Sequence, residues 1–518
     1  MKKMRKLGLV ALGSALALPS LGHAGKQLLN DSAWTHDGLK EITRAQQLKH
    51  GQRERAKNVI LFVGDGMGVS TLTAARILEG QKRGAPGEEN KLSFEKFPYL
   101  SLVKTYSINQ QTSDSAPTMT AMITGVKTKD GILSINENVV RGDHTTVKGN
   151  ELTTLLEIAE DHGLSTGVVS TARITHATPG ACYAHTPERD WESDAELSAV
   201  AKAADFPDIA RQLIEFEHGD GLEVAFGGGR EYFLPSTVQD PEDTTAKGRR
   251  KDGRDLTAEW QKKLPGGSFV WNKAQFDAID PKSAKHVLAL FERSHMEYEA
   301  DRAKDTGGEP SIAEMTAKAI DVLSQNEKGY FLMVEGGRVD HAHHAGNARR
   351  ALEDAIALAE AVKVATEKTD NQDTTILVTA DHSHVFTIAG YPARGNDILG
   401  KVVTLDNKGD IAEGYALDDK GKPYTTLSYA NGPGYRGGER PDLTNVDTTA
   451  VDFLQEATVP LGSETHAGED VALYATGPSA HLVHGNQEQT ISFYIAAHAL
   501  GFDDIRSTSI LDAIGKLF

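Results

Sequence analysis

Three short, β-branched runs end on residues that bind metals. NVILFVGDG (58–66) closes on Asp65, GYFLMVEGG (329–337) carries Glu335, and TTILVTADH (374–382) closes on Asp381 and His382. A single strand-end Asp often only caps the next helix. Several together predict a shared site at the carboxyl edge of a sheet, where open α/β sheets bind ligands. In GGRVDHAHHAG, Asp340 and His344 are four apart, which on a helix puts both on one face. That is the spacing by which an i, i+4 pair of histidines grips zinc. His341 and His343 fall off that face and are expected around the site or at the surface. His466, in ETHAGEDVALYATG, precedes a further apolar run that carries it to the same edge. Three Asp, one Glu and three His exceed the needs of one ion. Imidazole with carboxylate suits zinc, and an all-oxygen subset suits magnesium. Two zinc ions side by side clamp the attacking and leaving oxygens of an in-line displacement.

A nucleophile and an anion clamp lie elsewhere. TSDSAPTMTAMITG (112–125) opens with turn residues and continues as a helix, with Pro117 near its first turn. Ser115 then sits at a helix N-terminus, where free N–H groups and the dipole favour an anion. A serine there is either a plain N-cap or a nucleophile whose alkoxide a zinc ion stabilises. ITHATPGACYAHTPERDWE (174–192) supplies His176, Thr178 and Arg189. Arg189 is either a surface ion pair or a fork for two phosphate oxygens.

These residues need a scaffold. The runs at 58–66, 165–171, 222–229, 329–337, 374–382 and 470–477 are apolar enough to be strands buried on both faces. Helical patterns separate them at 151–163, 312–326 and 347–366. The alternation predicts an α/β fold: a doubly wound, mainly parallel sheet with helices on both faces. Two regions break the rhythm: the charged stretch 236–310, and a Gly-, Asp- and Pro-rich excursion over 383–465 that leaves after His382 and returns before His466. Long loop-rich insertions are functional or interfacial.

The 518 residues carry a net charge of −18. Without Lys2, Lys3, Arg5 and Lys6, 51 basic residues face 73 acidic ones, a balance of −22. So negative a body argues against a nucleic-acid-binding surface. MKKMRK followed by LGLVALGSALALPSLGHA reads as a signal peptide over 1–24, cleaved after Ala24. Export to the periplasm or beyond follows, with no lipid or membrane anchor expected. Cys182 is the single cysteine, so no intrachain disulfide can form, and a small buried hydrophobe is its expected role.

Together these motifs resemble the alkaline phosphatases, especially the animal-type branch, from about Lys57 to the C-terminal region. VGDGMG (63–68), DSAPTMTAMITG (114–125), THATP (175–179), ERDW (188–191), VEGGRVDHAHH (334–344), TADHSHVF (379–386), ETHAGEDVA (464–472) and HLVHGNQEQT (481–490) carry the resemblance. It implies that Ser115 becomes a phosphoserine and that Arg189 orients the phosphoryl group. It implies one zinc on Asp340, His344 and His466, a second on Asp65, Asp381 and His382, and a magnesium on Asp65, Thr178 and Glu335. His176 and His341 stand where the enterobacterial branch has Asp and Lys, and should tune phosphate release and magnesium affinity. A peripheral calcium is implied near Glu242, the Phe291 carbonyl, Glu292 and Glu309. The 383–465 excursion would match the crown domain of a homodimer.

The expected activity is therefore hydrolysis of small phosphate monoesters with release of phosphate. Two alternatives stand beside it: a related phosphodiesterase or sulfatase, and a non-catalytic metal-binding surface protein. Sulfatases place Arg two residues after the Pro of their nucleophile motif, where this chain has Met119.

Overall fold

In the computed structural model, which describes residues 53–502, the apolar runs join one ten-stranded sheet. The expected leader over 1–24 lies outside the described residues. From edge to edge the strands are Gly485–Glu488, Tyr99–Lys104, Val471–Thr476, Thr374–Ala380, Asn58–Gly64, Tyr330–Gly336, Ser165–Arg173, Val224–Gly228, His286–Leu290 and Gly267–Val270. Val471–Thr476 runs against both its neighbours, and the other pairings are parallel. Helices cover both faces, giving the doubly wound α/β architecture.

The central strands Asn58–Gly64, Tyr330–Gly336 and Thr374–Ala380 are buried along their whole length. A strand covered on both faces has no polar side, so it reads as a continuous apolar run. Burying each Ile, Leu or Phe in such a strand stabilises by about 1.5–3 kcal/mol. Helix Ala348–Lys368 packs on this centre. It begins where the Asn347 side chain accepts a hydrogen bond from the Arg350 N–H at 3.0 Å. It buries Ala351, Leu352, Ala355, Leu358, Ala359 and Val362, a stripe at three- and four-residue spacing.

The charged stretch 236–310 does not interrupt the sheet as expected. It contributes His286–Leu290 and Gly267–Val270, the last two strands of one edge. HVLAL is fully buried but only five residues long, and its flanking charges mask it in any longer window. Next to the other edge, Tyr99–Lys104 alternates between buried and exposed positions, so it has no apolar run to betray it.

Residues 383–465 leave and rejoin the main sheet at one point. There His384 pairs with His466, and Ser383 with Ala467, in a short antiparallel ladder. Within the excursion Phe386–Ile388, Leu427–Gly432 and Ala457–Pro460 form their own three-stranded sheet.

Candidate active site

Strand register brings the acidic residues together. Gly64 pairs with both Gly336 and Ala380, so three neighbouring strands end level. Asp65 follows the first, Glu335 precedes the end of the second, and Asp381 and His382 follow the third. All four are fully buried. The turn after Asp65 requires glycine. Gly66 has φ +67°, and a Cβ there would lie 2.3 Å from His384 Nε2.

Two compact donor sets result. In the first, His344 Nε2 and His466 Nε2 are 3.1 Å apart, and each lies 3.3 Å from Asp340 Oδ1. In the second, His382 Nε2 lies 3.2 Å from Asp65 Oδ1 and 3.4 Å from Asp381 Oδ2. Ser115 Oγ completes it, 3.2 Å from His382 Nε2 and 3.4 Å from Asp65 Oδ1. A tetrahedral ion with bonds of about 2.0–2.1 Å needs donors about 3.3 Å apart, which both sets provide. The sets adjoin: the rings of His382 and His466 stack at 3.5 Å.

Ser115 opens the helix Ser115–Thr124, all of whose residues are buried. Its cap is Asp114, which accepts from the Ala116 N–H at 3.2 Å, so Ser115 is not the N-cap. Asp114 also binds the Arg189 guanidinium, 3.2 Å from Nη1. Arg189 Nη2 is 3.1 Å from His176 Nε2. The guanidinium is thereby held beside the helix N-terminus by an ion pair.

The site has too much negative charge for its own cations. Burial raises the Asp65 carboxyl well above its usual range, and the charges of Asp381, Asp340 and Glu335 raise it further. Burial pushes Glu335 up to about 7. Asp340 goes the other way: burial opposes it, but His344, His384 and His466 hold it well below the carboxylate range. Burial takes His382 down to about 3, so the imidazole is neutral, as a metal ligand must be. Asp65 Oδ2, Thr178 Oγ1 and Glu335 Oε1 are buried with no hydrogen-bond partner. His176 Nδ1 is orphaned too, and Asp65, His176 and Glu335 bring donor atoms within 4.8 Å of one another, an oxygen-rich cluster with one imidazole at its side. The donor chemistry therefore fits metal ions, with imidazole and carboxylate donors gathered in several buried groups.

The alkaline phosphatase family model matches residues 56–502. The chain belongs to the alkaline phosphatase family. The phosphatase is 44% identical over 474 residues to the tissue-nonspecific isozyme of Gallus gallus, covering 90% of this chain and 88% of that one. It is 43% identical to the Homo sapiens tissue-nonspecific isozyme over the same shares. The alkaline phosphatase of Gadus morhua is 44% identical and is covered over 96% of its length. The Thermus thermophilus alkaline phosphatase structure aligns with a TM-score of 0.61 at 26% identity, over 88% of this chain and 95% of that one. The enzyme from the Antarctic bacterium TAB5 shares the fold, with a TM-score of 0.58 at 21% identity over 87% and 99% of the two chains. The phosphatase is thus a metal-dependent phosphoric monoester hydrolase, and the alternative of a non-catalytic metal-binding protein falls.

Sequence reasoning missed two residues of this site. His384 bridges Asp340 and Glu464: its Nε2 lies 2.9 Å from Asp340 Oδ1 and its Nδ1 2.5 Å from Glu464 Oε2. The signal was the alternation in DHSH, which puts His384 on the same strand face as His382. His343 is no surface residue, being fully buried. The His341 ring lies 5.4 Å from that of His176, and both approach His295, unremarked in the sequence, at 4.0 and 5.3 Å. Cys182 is buried as expected. Among the described residues, no helix is long and apolar enough to cross a membrane.

The peripheral acidic set includes a residue the sequence did not single out, Asp305. Glu242, Glu292 and Asp305 bring carboxylate oxygens within 4.8 Å of one another. Asp305 Oδ2 is buried without a partner. Glu309 Oε1 accepts from the Glu297 N–H at 3.0 Å, while its Oε2 is buried without a partner; burial, with Glu292 and Asp305 nearby, pushes its carboxyl up to about 9. The Phe291 carbonyl accepts from Arg230 Nη1 at 2.9 Å.

Proposed function

We propose that hydrolysis proceeds through a phosphoserine on Ser115. One arrangement carries this reading: the Ser115 hydroxyl stands at the start of a ten-residue buried helix, within 3.4 Å of both Asp65 and His382 and on the same helix end as Arg189. Asp340, His344 and His466 would hold one zinc, and Asp65, Asp381 and His382 a second beside Ser115. Asp65, Thr178 and Glu335 would hold magnesium. When bound, these ions supply Lewis acidity that eases deprotonation of serine and water and offsets charge on the leaving oxygen.

The protein's own groups do the rest. Arg189 receives two phosphoryl oxygens in its fork, and Asp114 fixes the angle of that fork. Ser115 Oγ gives up its proton and bonds to phosphorus; the ester P–O bond breaks in line, and the alcohol leaves with a proton. The positive end of the helix dipole favours the charge of the phosphoserine. Water then adds to phosphorus, the P–Oγ bond breaks, Ser115 regains its proton and phosphate departs. His176, against Arg189, and His341 behind it would set how tightly phosphate is held.

Glu242, Glu292 and Asp305 are the proposed calcium ligands, with Phe291 alongside. The excursion over 383–465 would serve as a crown at a homodimer interface. Supporting this, it exposes Tyr391, Leu405, Ile411, Leu417 and Val459. The basic start and apolar run of residues 1–24 support export. The deciding experiment is acid quenching during turnover of a phosphorus-labelled aryl phosphate, followed by peptide mapping. Label on the peptide carrying Ser115 is expected; label that never becomes covalent overturns the reading.

A further inference from the structure

A buried polar chain that the chemistry does not use joins the excursion to the site. Tyr429, on its central strand Leu427–Gly432, is 2% exposed, and its hydroxyl lies 2.8 Å from His343 Nδ1. His343 Nε2 in turn lies 2.9 Å from Thr71 Oγ1. His343 and Thr71 are equally buried. A neutral imidazole has one donor and one acceptor nitrogen, and a hydroxyl can serve either, so the chain satisfies His343 without water or charge.

The three residues come from three separate elements. Thr71 lies in the first turn of the helix Val69–Lys82, which follows Asp65. His343 lies in the helix Arg338–His344, between Asp340 and His344. Tyr429 belongs to the excursion. The His343 ring stacks at 4.7 Å on that of His384, which holds Asp340, and Phe386 flanks it at 5.0 Å. The far end of the excursion grips the same helix. The Glu464 carbonyl lies 2.6 Å from His344 Nδ1, and the Glu464 N–H donates to the His344 carbonyl at 2.9 Å.

We infer that the excursion sets the position of the helix bearing Asp340 and His344 through the Tyr429–His343–Thr71 chain. Tyr429 and His343 are thus positioning residues for the ion held there. This rests on the metal assignment above. The helix has seven residues, too few to be stable alone, so its placement comes from what it docks against. Removing either hydroxyl leaves a buried ring nitrogen unpaired and frees the helix to shift. Because three donors must stay about 3.3 Å apart, a small shift weakens the ion more than it weakens the fold.

The test uses the zinc-loaded enzyme and two variants that keep their shape, Tyr429→Phe and Thr71→Val. A chromogenic chelator reports the rate of zinc release. Each variant is expected to lose its most labile zinc about 10-fold faster than wild type, the scale of an outer-shell change. Activity in zinc-free buffer should decay in step, and added zinc should restore it. Tyr429→Phe in a His343→Asn background should add little, because the chain is already broken. A folded variant of either kind that releases zinc at the wild-type rate overturns the inference, even if its melting temperature falls. Wild-type enzyme that holds no zinc overturns the metal assignment and the inference with it.

Discussion

Ser115 Oγ and His382 Nε2 stand 3.2 Å apart although 267 positions separate them in the chain. A helix start and a strand end meet there, and Asp65 from a third element touches both. The reactive hydroxyl is placed by rigid elements on every side, which is what a preorganised site requires.

Asp65 belongs to two donor sets at once, so it is the residue whose loss should spread furthest. Asp65→Asn is expected to lower the metal content by two ions per chain and turnover by at least about 10³-fold. Elemental analysis alongside kinetics checks both. Full metal content in the variant contradicts the shared role.

Arg189→Lys keeps the charge and loses the fork. Charge-assisted hydrogen bonds contribute about 1.5–3 kcal/mol, so KM and the inhibition constant for phosphate should rise about 10- to 100-fold. Inhibition by inorganic phosphate measures this without relying on turnover. An unchanged constant removes Arg189 from the phosphate site.

Chelation should destabilise the fold as well as stop the reaction. Without cations, Asp65, Asp340, Asp381 and Glu335 are left buried together with orphaned oxygens. Any ion bound to the native state alone stabilises it, so the melting temperature of stripped enzyme should fall by several degrees and recover on adding zinc and magnesium. Scanning calorimetry decides; equal melting temperatures contradict the prediction.

Gly66→Ala tests the turn behind Asp65. The backbone there is left-handed, and the new methyl would meet the His384 ring. The conformation alone disfavours Ala by about 1–2 kcal/mol. Lower stability in denaturant and slower turnover are expected together, and a variant with wild-type values in both would show the turn to be tolerant.

Glu160 carries a pH dependence away from the metals. Burial, with Glu223 nearby, pushes its carboxyl up to about 8, against an ordinary value near 4.5. Its Oε2 is buried without a partner. The folded state therefore holds this proton more tightly than the unfolded chain. The corresponding stability is present below about pH 4.5 and is lost as pH rises through about 8. Glu160→Gln stays neutral, so its melting temperature relative to wild type should climb between pH 5 and pH 9. A constant difference across that range contradicts the shift.

The chain's local chemistry made the central strands, the long helix after Asn347 and the residues Asp65, Glu335, Asp381 and His382 legible. Strands covered on both faces must be apolar throughout, and a ligand at a strand end interrupts that run visibly. Short or half-exposed strands such as His286–Leu290 and Tyr99–Lys104 left no such mark. What tertiary structure alone decided is which distant side chains meet. The register of Gly64 with Gly336 and Ala380 levels three strand ends, and no local pattern encodes a pairing between strands hundreds of residues apart. The same holds for His384 between Asp340 and Glu464, for Asp305 beside Glu242 and Glu292, and for Tyr429 on His343. Each is a contact closed by packing, and its partners carry no sign of one another in their own neighbourhoods.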